Sequence, residues 1–84
     1  MDIKVLGPGC ANCRNTAAAI EKQARERGVA IELEKIEDYR AIASYGILAT
    51  PGVVIDGKVV HSGGVPSAAK VASWFGPEGA APSA

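Results

Sequence analysis

The sequence predicts a single α/β domain of order βαβαββα, in which a four-stranded mixed sheet carries helices on both faces. Three observations lead there. A short apolar run is cut by "GPG" and followed by residues at helical spacing; a second run alternates apolar and charged side chains; and two β-branched runs are joined by Asp-Gly. The first three elements then make a βαβ unit with parallel strands and a right-handed crossover. The last two strands make a hairpin, which adds to the sheet antiparallel. With 84 residues, the chain has room for one domain and one modest core.

Each element has its own local cause. "DIKVL", Asp2 to Leu6, has strand composition, and the Gly-Pro-Gly after it ends the strand. From Cys13 onward, Ala17, Ile20 and Ala24 recur with helical period, and Gly28 supplies a C-terminal stop. "VAIELEKI", Val29 to Ile36, alternates Val29, Ile31 and Leu33 against Ala30, Glu32 and Glu34, as expected of a half-exposed edge strand. "EDYRAIASYG" predicts a short helix capped by Asp38 and ended by Gly46, with Tyr39, Ile42 and Ala43 turned inward. "VVIDGKVVH" is a two-residue hairpin whose Asp56-Gly57 suits a type I′ turn. "PSAAKVASWF" gives a last helix opened by Pro66 or Ser67, with Val71, Trp74 and Phe75 as its apolar face. The domain is expected to span residues 1–76, leaving 77–84 as a flexible, Pro/Gly-rich tail.

Composition narrows the function classes. Nine basic and nine acidic residues cancel and are interspersed, so there is no basic stripe for nucleic acid. No segment approaches the roughly 18 apolar residues that a membrane span requires. "MDIKVLG" has no basic-then-apolar leader pattern, so the expected location is the cytoplasm and the expected state a monomer. In a reducing compartment, two cysteines do not form a structural framework; a close pair points to catalysis, redox sensing or metal binding.

Both cysteines lie in "GPGCANC". With a helix starting near Cys10, Cys10 and Cys13 stand one turn apart, their Cα atoms roughly 5–6 Å from each other, inside the disulfide range. Cys10 falls at the helix N-terminus, where backbone N–H groups stabilise a thiolate. Cys13 shares the stripe of Ala17, Ile20 and Ala24, so it should be the more buried and less acidic thiol. That asymmetry suits a disulfide exchanger, in which Cys10 attacks and Cys13 releases the product. The same two thiolates also suit a soft metal or metalloid such as Cu(I) or As(III), while a structural zinc site would need ligands beyond His61. Two unreactive buried thiols are the bland alternative. Gly9 turns the chain out of the strand, and Ala11 and Asn12 complete the loop between the sulfurs.

"GPGCANCRNTAAAIEK" resembles the metal loop of heavy-metal-associated domains, but Pro8 stands where that family has methionine, and here a helix precedes the hairpin. The C-x-x-C after the first strand, Thr50-Pro51 before the hairpin and the order βαβαββα together resemble the thioredoxin superfamily. More narrowly, "GCANC", "TPGVVIDGKVV" and "GGVPS" are similar to the small thioredoxin-like or glutaredoxin-like redox-active disulfide proteins. The resemblance implies a truncated thioredoxin fold and a thiol–disulfide oxidoreductase. It implies a redox-active Cys10–Cys13 disulfide with no other cofactor and no metal, and a cis Thr50-Pro51 bond beside the cysteines. It also implies that Thr50 and Pro51 bind substrate, with protein disulfides and a thiol reductant or reductase as partners. The chain departs from thioredoxins proper in lacking their N-terminal βα unit, the tryptophan before the first cysteine and the acid on the preceding strand, where Lys4 stands instead.

Overall fold

Across residues 1–75, which the computed structural model describes, the chain runs β1 (Asp2–Leu6), α1 (Ala11–Arg27), β2 (Glu32–Ile36), α2 (Tyr39–Ser44), β3 (Gly52–Ile55), β4 (Lys58–Ser62) and α3 (Ala68–Trp74). The expected order is observed. The tail anticipated at 77–84 lies outside the described residues.

The strands line up as β2-β1-β3-β4. β1 and β2 are parallel, from Asp2 opposite Glu32 to Leu6 opposite Ile36, while β3 is antiparallel to both β1 and β4. The central strands β1 and β3 are covered on both faces, which accounts for their nearly unbroken apolar runs. Ile3, Val5 and Val53 point to one face and pack with Ala17 and Ile20 of α1 and Val71 of α3. Leu6 and Val54 point to the other and pack with Ile42 of α2. Ile20 and Val71 are fully buried, and a side chain of that size contributes about 1.5–3 kcal/mol when removed from water.

Caps fix where the helices begin. Asp38 accepts a hydrogen bond from Ala41 N at 3.3 Å, and Ser67 accepts one from Lys70 N at 3.1 Å, so Ser67 rather than Pro66 opens α3. Gly28 ends α1 in the left-handed region. In the hairpin, Asp56 and Gly57 have φ of 50° and 86°, the pair of positive values that a type I′ turn needs. Register then slips: Val53 faces His61 and Val54 faces Val59, which leaves Val60 as a bulge in the edge strand.

Two expectations are corrected. The second strand starts at Glu32, not Val29, because Val29 N still bonds Ala24 O at the end of α1 and because β1 offers no partner before Asp2. In α2 only Ile42 is buried; Tyr39 is 71% exposed and Ala43 is exposed, while Tyr45 and Ile47 fill the space beside Ile42.

Candidate active site

At the end of β1, Gly7 N donates to Ile36 O at 2.9 Å, so the chain is still tied to β2 when it turns towards α1. Gly9 makes the turn with φ 86°, a conformation that L side chains resist. Cys10 follows in extended geometry as the N-cap of α1, and its sulfur accepts from Cys13 N at 3.4 Å. This is the place usually taken by a serine or aspartate oxygen. The first helical bond, Arg14 N to Cys10 O, closes at 3.0 Å.

The two thiols stand in different surroundings. Cys10 is exposed and Cys13 is buried, at 6% exposure, on the stripe with Thr16, Ala17, Ile20 and Ala24. Their sulfurs are 2.8 Å apart. The Cys13 thiol, donating to Cys10 Sγ, together with the Cys13 backbone N–H, holds the Cys10 pKa below its ordinary value. Burial, and then the same sulfur–sulfur hydrogen bond, push the Cys13 thiol up. The alkylation rate of Cys10 should therefore level off at a lower pH than the roughly 8.5 midpoint of a free thiol. Iodoacetamide kinetics on the reduced protein, read by peptide mass, check this; a midpoint at or above the free-thiol value would contradict it.

Thr50 and Pro51, some forty residues away in sequence, arrive at the same place. A Cβ on Gly7 would run into Cys13 Sγ and would lie 3.7 Å from Thr50 Cβ, so Gly7 is the spacer between them. The Thr50-Pro51 bond is cis. Thr50 is exposed and Pro51 buried, and Pro51 O accepts from Gly63 N at 2.9 Å. Ala11 and Asn12 are exposed on the first turn of α1, where Asn12 O accepts from Thr16 Oγ1 at 2.8 Å. The seven site residues expected from the sequence thus fall in two segments, the β1–α1 junction with the first turn of α1 and the residues just before β3, which approach each other at Gly7.

Three further residues, Arg14, Lys35 and Glu37, stand beside Cys13, and sequence reasoning missed them. A cavity of about 260 Å³ opens beside Cys13, lined by Val5, Gly7, Gly9, Arg14, Lys35 and Glu37. Arg14 Nη1 donates to Gly9 O at 2.7 Å. Glu37 Oε2 lies 3.4 Å from where a Cβ on Gly9 would be. A signal for Lys35 and Glu37 was present: they sit at the C-terminal end of β2, parallel to β1, and sites in open α/β sheets gather at such strand ends.

Other candidates lie elsewhere. Lys4 pairs with Asp2 at 2.9 Å, and its strand position places it on the sheet face opposite α1. Its pKa is raised, chiefly by that hydrogen bond. His61 is half-buried against Trp74, with ring centroids 6.2 Å apart and Nε2 2.9 Å from Gly64 O. Trp74 packs on the core, as expected. Among the described residues, no three His, Cys, Asp or Glu side chains converge as a metal site would require, and no helix is long and apolar enough to cross a membrane.

Comparison with known proteins adds sequence relatives. A family model described as "Thioredoxin domain" matches residues 1–76. A thioredoxin of Methanocaldococcus jannaschii is 33% identical over 69 residues, 82% of this chain and 79% of the relative. A thioredoxin of Methanothermobacter thermautotrophicus is 36% identical over 67 residues, 80% of this chain and 87% of the relative.

Proposed function

The chain belongs to the thioredoxin family of thiol–disulfide oxidoreductases, and on that premise we propose that it works by cycling between a Cys10–Cys13 disulfide and a dithiol. The observation that carries this reading is the inequality of the two thiols: one exposed at a helix cap, the other buried 2.8 Å behind it. Cys10 thiolate attacks one sulfur of a partner's disulfide, and the partner's other sulfur leaves as a thiolate. Cys13 then attacks Cys10 Sγ, the bond to the partner breaks, and the partner departs fully reduced. The protein is left as its own disulfide, to be returned to the dithiol by a thiol reductant or reductase.

The remaining site residues position this exchange. Thr50, exposed beside Cys13, offers its backbone to an extended substrate segment, with Pro51 anchoring it from below. Gly9, Ala11 and Asn12 shape the approach to Cys10. The reaction uses only the chain's own sulfurs, so it needs no added cofactor, and it suits a monomer in a reducing cytoplasm. The soft-metal alternative loses ground because both relatives are thioredoxins.

The test has two readings. Reduction should expose two alkylatable thiols per chain that oxidation hides, and the protein should reduce a model protein disulfide with dithiothreitol as electron source. A protein that keeps two free thiols under mild oxidation and leaves the disulfide intact would overturn the proposal.

A further inference from the structure

His61 carries a ring nitrogen with nothing to bond. Gly64 O can only accept, so the 2.9 Å contact with His61 Nε2 makes the neutral ring the Nε2–H tautomer. Nδ1 is then a bare lone pair, and it is buried without a hydrogen-bond partner among the described residues. An acceptor left in that state costs free energy, which an apolar ring packed on Trp74 would avoid. What the histidine adds over such a ring is the one bond from Nε2.

Local structure aims that bond. In a regular strand Val60 and His61 would face opposite sides of the sheet. The bulge at Val60 turns both to the α3 side, where Val60 packs on the core that holds Val71 and the His61 ring meets Trp74. From there Nε2 reaches the turn between β4 and α3, in which Gly63 and Gly64 both hold positive φ, 87° and 72°. Glycines in that region have no side chains to fix them. The turn is tied instead by its backbone: Gly64 O accepts from His61, and Gly63 N donates to Pro51 O at 2.9 Å. Gly63 also lies against Ala49, so closely that a Cβ added to it would stand 3.3 Å from Ala49 Cβ. The turn thus meets the chain on both sides of Thr50.

We propose that His61 is a positioning residue for partner binding: by clamping the Gly63–Gly64 turn, its Nε2–H holds the backbone on either side of Thr50 in the shape with which an extended protein segment pairs. Its role is in recognition, not in the exchange of sulfur bonds. A disulfide embedded in a polypeptide gains from the clamp, because the backbone beside it pairs with Thr50. A small disulfide, with no backbone to pair, does not.

This role rests on the exchange reading, and a comparison of two disulfides separates them. His61→Phe keeps a ring against Trp74 and removes the donor, while His61→Gln places an amide N–H where Nε2 stood. With insulin as the protein disulfide and dithiothreitol as electron source, His61→Phe should raise KM about three- to tenfold, the scale of one net hydrogen bond, and leave kcat within about twofold. Its reaction with the small disulfide 5,5′-dithiobis(2-nitrobenzoate) should stay within about twofold of wild type, and His61→Gln should recover most of the KM. An unchanged KM in His61→Phe, an equal loss with both disulfides, or a His61→Gln protein no better than His61→Phe would overturn the role of His61. One further measurement needs no variant: in long-range proton–nitrogen correlation spectra at alkaline pH, Nε2 should be the protonated nitrogen, and a ring protonated at Nδ1 would sink the clamp. A wild-type protein that leaves insulin intact would remove the exchange reading itself, and this role with it.

Discussion

Replacing Cys10 by serine should lower disulfide reduction by about three orders of magnitude or more, the scale at which loss of a nucleophile is felt, while replacing Cys13 by serine should leave a protein that attacks but cannot let go. The difference follows from position. Cys10 is the exposed sulfur, and its thiolate is held by the hydrogen bonds from Cys13. A serine hydroxyl there ionises far less readily and does not exchange with disulfides. In Cys13→Ser the exposed thiol remains, and the backbone N–H of residue 13 still caps it. First attack should persist within a few-fold, and the product should accumulate as a one-to-one mixed disulfide with the partner. Intact-protein mass after incubation with a disulfide reagent distinguishes the two variants. Retained turnover in Cys10→Ser, or a Cys13→Ser protein that forms no adduct, would reverse the assignment of roles.

Gly7→Ala should cost stability and activity together. The added methyl has no free space: it points at Cys13 Sγ, with Thr50 Cβ behind, and Gly7 itself is buried. Relief requires Cys13 Sγ to turn away from its place beside Cys10, or α1 to move off the sheet. Overpacking of this kind costs about 1–3 kcal/mol, a large share of the roughly 5–15 kcal/mol that holds a small domain together. Urea unfolding of the reduced protein should show a lowered midpoint, and turnover should fall because both routes displace a sulfur. A variant as stable and as active as the parent would mean that Gly7 is not the spacer described above.

The parts legible in sequence were those with local causes. Asp56-Gly57 specifies its own turn, Asp38 and Gly28 mark helix ends, and the Cys13-Ala17-Ile20-Ala24 stripe announces its buried face. What escaped depends on pairing partners distant in the chain. Val29 to Ile31 have strand composition, but no β1 residues lie beside them, so β2 begins later. Tyr39 and Ala43 read as inward, yet a six-residue helix covering Leu6 and Val54 has depth for Ile42 alone. The burial of His61 likewise depends on α3, which brings Trp74 over it. Within the site, the cysteines and Thr50-Pro51 stood out as motifs. Lys35 fell within the edge strand and Glu37 at the start of the short-helix segment, and only the parallel register of β1 and β2 brings that end of β2 beside Cys13.

Cys10 is both the cap of α1 and the reactive sulfur, so helix stability and thiol acidity are one free energy expressed twice. Its pKa in the folded chain lies below that of the unfolded chain. Its ionisation therefore adds stability that is fully present above the unfolded thiol range and is lost as pH falls through the lowered pKa. Cys13, shifted upward, acts in the opposite sense: the stability associated with its protonated form is present below the unfolded thiol range and lost as pH rises through the raised pKa. Once the Cys10 sulfur is tied up in any disulfide it has no charge to offer the helix, and the term disappears at every pH. The fold thus registers the redox state of its own first turn as a change in global stability.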